Sequence, residues 1–387
     1  MIIYSARSRG GDARVALTPQ AVEKLTRLGA GVEVEAGYGE LLALADQEFE
    51  RAGARVRPDP DEALAGADVV VGLMEPDLAT VAKVKRGAIW ISFLDPFRQT
   101  ALVRALAEGS ISSLCMELIP RTSYAQKMDA LSSQASLAGY GAVIAAAERI
   151  KKALPMMTTP AGTIPPARVF IVGVGVAGLQ AIATAKRLGA RVEAYDTRPV
   201  VEEQVLSLGA RFVKIDVGET GQTEQGYAKA LTAEQIESQR QQMARHCANA
   251  DIVITTAQVF GRPAPRIVTG EMLDGMRPGS VVVDLAASTG GNVEGSAADQ
   301  EVVRPNGVTI LGFSNLASQV AGDASQMYAN NVYNLIEHAW DQERSSLRGA
   351  PPETPKSGGP GPPPGPIKQK GGGPPRGGPP PNFTPKT

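Results

Sequence analysis

Three glycines and one acid carry the clearest chemistry in this sequence. In VFIVGVGVAGLQAIATAKRLGARVEAYDTR (169–198), Gly173, Gly175 and Gly178 stand in G-x-G-x-x-G spacing after an apolar run, and Asp196 follows before a Thr-Arg pair. Each has a mechanical use. Gly173 permits a tight turn, Gly175 lets the backbone approach a pyrophosphate, and Gly178 lets a helix pack closely on a strand. The helix that opens here offers free N–H groups and partial positive charge to phosphates. A carboxylate at Asp196, ending the next strand, accepts hydrogen bonds from ribose hydroxyls and repels a 2′-phosphate. The pattern predicts a dinucleotide site that prefers NAD(H) to NADP(H). Arg198, two residues on, softens that preference.

A second stretch, RTSYAQKMDALSSQAS (121–136), sets Arg121, Gln126, Asp129, Ser132, Ser133 and Gln134 between two apolar runs, with no histidine among them. The whole chain has two histidines, His246 and His338, both in helical patterns far downstream. Both read as surface or packing residues. Oxidation of an alcohol or amine moves a proton as well as a hydride and normally places a His, Lys, Asp or Tyr for it. The missing histidine lowers the weight of that chemistry without excluding a Lys or Tyr acid.

Short apolar runs that alternate with helical patterns must position these groups. IIYSA, GVEVEAG, ADVVVGL, AIWISFL and ISSLCMEL read as one set of strands; RVFIVG, RVEAYD, RFVKID, DIVITTA, SVVVDLA and VTILGF read as a second. Most are continuously apolar, as strands covered on both faces are. Helices such as TPQAVEKLTRLG and VAGLQAIATAKRLG lie between them, each ending at a glycine suited to positive φ. The βαβα order predicts α/β architecture: two Rossmann-like, doubly wound parallel-sheet domains. We expect an N-terminal domain over 1–135, completed by a returning segment 316–346 whose helix covers 324–342, and a nucleotide-binding domain over 136–315. From Ala350 onward the chain holds fourteen Pro and nine Gly, so 347–387 is expected to be a disordered tail.

At 387 residues, 43% hydrophobic and 20% charged, the chain is long enough for two globular domains. A net charge of -1 gives no reason to expect nucleic acid as a partner. Cys115 and Cys247 make no metal or disulfide framework, fit a reducing compartment, and Cys115 reads as a buried thiol. No metal site is expected. The opening MIIYSARSRG is not a signal peptide, and no run reaches the roughly 20 apolar residues that span a bilayer. Any membrane role must come through a partner.

RVALTP (14–19), MELIPRTSYAQKMDALSSQASLAGY, TIPPARVFIVGVGVAGLQAIATAKRLGA and TTAQVFGRPAP together resemble the NAD(H)-binding component, or alpha subunit, of proton-translocating NAD(P) transhydrogenases, over roughly residues 1–340. The alanine dehydrogenases share the fold and several motifs. They carry a catalytic His where this chain has Asp95, a substrate-binding Lys at Leu73 and an Asp at Ser288; only Arg14 of that set remains.

The resemblance implies a Si-specific, proton-translocating transhydrogenase, active only with partner subunits. Hydride passes between NADH on this chain and NADP+ on a beta subunit, while membrane-spanning subunits move protons. It also implies a homodimer, peripheral at the cytoplasmic face of a bacterial inner membrane. By position, Arg121, Gln126, Asp129 and Ser132 would orient the nicotinamide, its ribose and the pyrophosphate, with Thr122 and Ser123 beside them. Arg121 would also steady the NADP(H) ring across the interface. Gly173, Val174, Gly175, Val176, Ala177 and Gly178 would hold the pyrophosphate and Asp196 the adenosine ribose; Thr197, Arg198, Ala257 and Gln258 would also contact the cofactor. A loop over 218–239 would close as a lid, with Gly226, Tyr227 and Gln239 on the nucleotide. Tyr124, Gly141, Gln258, Val259 and Phe260 depart from the family pattern, Tyr124 standing where Arg is usual. The other readings are an alanine-dehydrogenase-like oxidoreductase and a catalytically silent NAD(H)-binding protein.

Overall fold

The structure, a computed structural model, describes residues 1–8, 10–215, 232–258 and 261–348. Its first sheet has strands β1 (Ile2–Ser5), β2 (Gly31–Glu35), β3 (Ala54–Arg57), β4 (Val69–Val71), β5 (Ile89–Ser92) and β6 (Ser112–Cys115). They lie in the order β3-β2-β1-β4-β5-β6, all parallel. A short antiparallel hairpin follows, β7 (Met157–Thr159) and β8 (Gly162–Ile164).

The second sheet has β9 (Arg168–Val172), β10 (Arg191–Tyr195), β11 (Arg211–Phe212), β12 (Ile252–Thr255), β13 (Val281–Asp284), β14 (Glu301–Val303) and β15 (Thr309–Leu311). Its order is β11-β10-β9-β12-β13-β15-β14, parallel except for β14. Both sheets are doubly wound, and each reverses its strand order beside its first strand.

The apolar runs read as strands because both faces are covered. Ile3, Val69 and Ile91 enter one core, and Tyr4, Val70 and Trp90 the opposite one. In the second sheet Val169, Ile171 and Ile254 face one way and Phe170, Val172 and Val253 the other. Period-two alternation thus divides each run between two cores.

Six helices among the described residues reach nine residues: α1 (Pro19–Arg27), α2 (Thr100–Glu108), α3 (Ala130–Arg149), α4 (Val176–Arg187), α5 (Ala233–Asn249) and α6 (Ala321–Ala339). Thr18 caps α1 through the Ala21 N–H, Pro19 opens it, and Gly29 ends it at φ 96°. The helix α6 packs Tyr328, Val332 and Ile336 into the core of the first sheet.

Several elements differ from the sequence reading. The final helix covers 321–339, not 324–342: Trp340 turns extended and pairs with Leu347. β3, β14 and the hairpin went unread because ARVR, EVV and MTT lack the continuous apolar run that marks a doubly covered strand. RFVKID yields only Arg211–Phe212 as strand. The segment read as a lid already becomes helix α5 at Ala233, capped by Thr232 and Gln235. Its earlier part, with Gly226 and Tyr227, lies outside the described residues, as do Val259, Phe260 and the expected tail from 349 onward. Cys115 is only half-buried.

Candidate functional site

The glycine turn, Asp196, Ala257–Gln258 and the 121–132 loop each follow the carboxyl end of a strand, where open α/β sheets bind their ligands. The ends of the two sheets meet there. Arg98, after β5, donates through Nη1 to the carbonyl of Ser288, after β13, at 3.2 Å. A Cβ on Gly261 would come 3.0 Å from the Phe97 ring, so these loops already touch. Asn315 Nδ2 donates to Asp12, after β1, at 2.8 Å.

The glycine turn has three separate reasons for its three glycines. Gly173 holds φ at 95°, and a Cβ there would lie 2.6 Å from Thr256 Oγ1. At Gly178 a Cβ would sit 1.9 Å from the Gly173 carbonyl oxygen, so that residue sets the strand–helix spacing. At Gly175 a Cβ would meet nothing within 4 Å. Gly175 faces open space and precedes the first turn of α4, whose leading N–H groups have no helical partner. A pyrophosphate fits this cradle. Val176 is exposed and Ala177 half-buried, while Val174 is buried and contributes its backbone.

Asp196 is more occupied than the sequence suggested. Its Oδ2 accepts from Val174 N–H at 2.8 Å and from Arg198 Nη2 at 2.9 Å. Its Oδ1 accepts from Arg198 N–H at 2.8 Å and Arg198 Nε at 2.9 Å. Four donors fill the roughly four acceptor positions of a carboxylate. Asp196 therefore braces the glycine turn, and a ribose hydroxyl reaches it only by displacing Arg198. Thr197 between them is half-buried.

The 121–132 loop divides into anchors and exposed groups. Ala125 and Met128 are buried, whereas Arg121, Thr122, Ser123 and Gln126 are exposed. Asp129 caps α3, accepting from Ser132 N–H at 2.9 Å and Ser132 Oγ at 2.6 Å. The middle of α3 touches the glycine turn. A Cβ on Gly139 would lie 2.1 Å from the Ala177 carbonyl oxygen. Ten residues of α3 separate Asp129 from that contact, about 15 Å of rigid helix at 1.5 Å per residue. One rod fixes the spacing between loop and turn.

Ala257 and Gln258 follow β12 beside the glycine turn, where a Cβ on Gly173 would lie 3.3 Å from Ala257 N. Asn292, fully buried, clasps Ala257 through both its N–H (3.0 Å) and carbonyl (2.8 Å). Gln258 Nε2 donates to the Leu285 carbonyl at 2.8 Å. The buried Asp284 accepts from Ala286, Asn292 and Val293 N–H and so shapes the whole 286–293 turn. Sequence reasoning missed Asp284 and Asn292. The signal was present: an acid at a strand end, then Gly290 and Gly291, both at positive φ. It also missed that His338 meets this site: Tyr124 Oη lies 2.9 Å from His338 Nδ1. Gln239 lies on α5.

The remaining polar group of note is closed off. Arg14 is 4% exposed, with Nε and Nη2 on the Asp12 carboxylate (3.1 and 2.7 Å) and Nη1 on Gln134 Oε1 (2.7 Å). Burial alone would raise the Asp12 pKa, but hydrogen bonds from Arg14 and Asn315 hold it below the ordinary carboxylate value. Asp95, at φ 45°, is paired with Arg98 at 2.6 Å, and Leu73 is buried in the first core. Burial pushes both thiols, Cys115 and Cys247, up to about 12, away from the reactive thiolate form.

The sequence pattern of the alanine dehydrogenase/PNT N-terminal domain matches residues 7–138, and that of its C-terminal domain residues 142–351. The chain belongs to the alanine dehydrogenase/PNT family. Within that family it is 44% identical to an NAD(P) transhydrogenase subunit alpha chain of Rhodospirillum rubrum over 346 residues, 88% of this chain and 90% of that one. The crystal structure of transhydrogenase from Sinorhizobium meliloti matches with a TM-score of 0.79 at 43% identity, covering 90% of this chain and 96% of that chain. Alanine dehydrogenase of Mycobacterium tuberculosis is a more distant family member, 27% identical over 354 residues, 89% of each chain. Among the described residues, no helix of this family member is long and apolar enough to cross a membrane.

Proposed function

We propose that this chain is the NAD(H)-binding subunit of a proton-translocating NAD(P) transhydrogenase. It passes a hydride between NADH in its cleft and NADP+ held by a beta subunit, and membrane-spanning subunits couple that transfer to proton movement. The observation that carries this reading is one rigid helix joining a pyrophosphate-competent glycine turn to a polar loop. Arg14, a charged group suited to a substrate carboxylate, is already committed to Asp12 and Gln134.

Hydride exchange between two nicotinamides needs no general acid or base. It needs apposition of the rings and exclusion of water. Arg121, Gln126, Asp129 and Ser132 orient the dihydronicotinamide end, with Thr122 and Ser123 alongside. The turn 173–178 holds the pyrophosphate, and Asp196, Thr197 and Arg198 receive the adenosine ribose. Ala257 and Gln258 wall the cleft.

Residues 1–135 with 316–346 form the first domain of this reading and 136–315 the second. The enzyme is Si-specific and works peripherally at the cytoplasmic face of the membrane. Two copies form a homodimer, and the exposed apolar groups Met156, Met157 and Ile164 of the hairpin fit that role.

One experiment sorts the readings. The chain is mixed with NADH, an NADP+ analogue and a purified NADP(H)-binding partner domain. Transhydrogenation in the mixture alone supports the proposal. Alanine- or pyruvate-dependent turnover by the chain alone marks an amino-acid dehydrogenase, and NADH binding without either turnover marks a silent binder.

A further inference from the structure

Tyr124 departs from the pattern its loop otherwise follows, and His338 is one of only two histidines in the chain. They meet: Tyr124 Oη to His338 Nδ1 is 2.9 Å, and the rings pack edge to face at 5.0 Å. The pair does not stand alone. Asn331 and Asn334 of α6 both donate through Nδ2 to the Lys127 carbonyl, at 2.9 and 3.1 Å. Asn331 Oδ1 also accepts from Ser133 Oγ at 2.7 Å. Lys127 Nζ reaches Glu337 at 3.3 Å, and Glu337 is held in turn by Tyr333 Oη at 2.7 Å.

Asn331, Asn334 and His338 are spaced i, i+3, i+7 and so share one face of α6. That polar face grips the loop at Tyr124, Lys127 and Ser133, on both sides of Gln126 and Asp129. The opposite side of α6 carries Tyr328, Val332 and Ile336 into the first core, so the grip is anchored. The His338 carbonyl is itself held by Arg348 Nη2 at 2.5 Å, which pins the end of the helix.

We infer that the α6 polar face, with the Tyr124–His338 pair as its outermost link, is a positioning device for the nicotinamide loop. This rests on the transhydrogenase reading, in which Arg121, Gln126 and Asp129 must present fixed geometry to a reacting ring. Tyr124 and His338 touch no reacting atom; they restrict the loop that does. A misplacement of about 1 Å in such a group costs up to about a hundredfold in rate. A single exposed hydrogen bond holds only part of that.

The test uses Tyr124→Phe, His338→Ala and the double variant of the full chain. Hydride transfer with the NADP(H)-binding partner domain should fall about threefold to tenfold in kcat for each single variant, the range for one hydrogen bond. NADH Kd and Tm should stay at wild-type values, and the double variant should be no slower than the worse single one. Amide hydrogen exchange at Ala125, Met128 and Asp129 should speed up in all three, whether or not the partner assay shows turnover. The inference is overturned by unchanged exchange, by wild-type kcat in active mixtures, by losses that multiply in the double variant, or by a kcat loss matched by a fall in Tm. Absence of transhydrogenation in the wild type overturns the functional reading instead, and the exchange data still decide whether the grip exists.

Discussion

Gly175 and Gly178 separate binding from folding, because the space around them differs. At Gly175 an added Cβ meets nothing within 4 Å, and the backbone (φ −86°, ψ −165°) is open to any residue. Gly175→Val should therefore leave Tm nearly unchanged. Its side chain fills the space before the α4 N-terminus, where phosphate oxygens would take the free N–H groups. Losing two charge-assisted hydrogen bonds at about 1.5 kcal/mol each costs about 3 kcal/mol, or about 150-fold in NADH Kd. At Gly178 the Cβ would lie 1.9 Å from a backbone carbonyl that no rotamer change can move. Gly178→Ala should push α4 off β9 and cost about 1–3 kcal/mol of stability or more. NADH fluorescence titration and thermal unfolding, run on both variants, give the four numbers needed. NADH binding within threefold of wild type in a folded Gly175→Val protein would refute the cradle. A Gly178→Ala protein with wild-type Tm would refute the packing role.

Asp129→Asn retains an acceptor for the Ser132 N–H, so Tm should hold while hydride transfer with the partner domain slows about tenfold through lost positioning; turnover at the wild-type rate rejects a positioning role. Asp12→Ala leaves the buried Arg14 with Gln134 alone and should cost about 3 kcal/mol in urea unfolding. Because the Asp12 pKa is depressed in the fold, its contribution is full above the unfolded carboxylate value and is lost as pH falls through the lower, folded one. The wild type should thus lose more stability on acidification than the variant; parallel pH profiles would show that Asp12 is not the group responsible. Met157→Asp with Ile164→Asp should halve the mass in light scattering if the hairpin joins two copies, and an unchanged mass would assign the dimer contact elsewhere.

The fold was legible where strands are covered on both faces. IWIS and VVVD advertise themselves by composition, and the glycines after α1 and α4 mark real helix ends at φ 96° and 84°. It was not legible at the edges. ARVR at the sheet margin pairs through its backbone while its arginines seek Glu33 and Glu62, so no apolar pattern betrays it. The glycine turn was readable because Gly173 and Gly178 each answer a local steric need and Gly175 leaves open space before α4. Tyr124 and His338 were not, since only the return of α6 to the first sheet brings positions 214 residues apart into contact.

Asp196 shows how far a motif carries and where physics must take over. The sequence places an acid at the end of β10, and the motif assigns it to a ribose. Its four donors all come from the protein, and three of them from Arg198. The same carboxylate therefore sets the turn before any nucleotide arrives. Arg198 also reaches the Val174 carbonyl at 3.2 Å, so releasing it loosens the glycine turn from two sides. Nucleotide selectivity then depends on the cost of moving one guanidinium rather than on bare carboxylate repulsion. A 2′-phosphate would meet that guanidinium as readily as it meets the acid. On the proposed reading, discrimination between NAD(H) and NADP(H) would be a balance within one salt-bridged pair, held at 7% and 17% side-chain exposure, where charge is poorly screened.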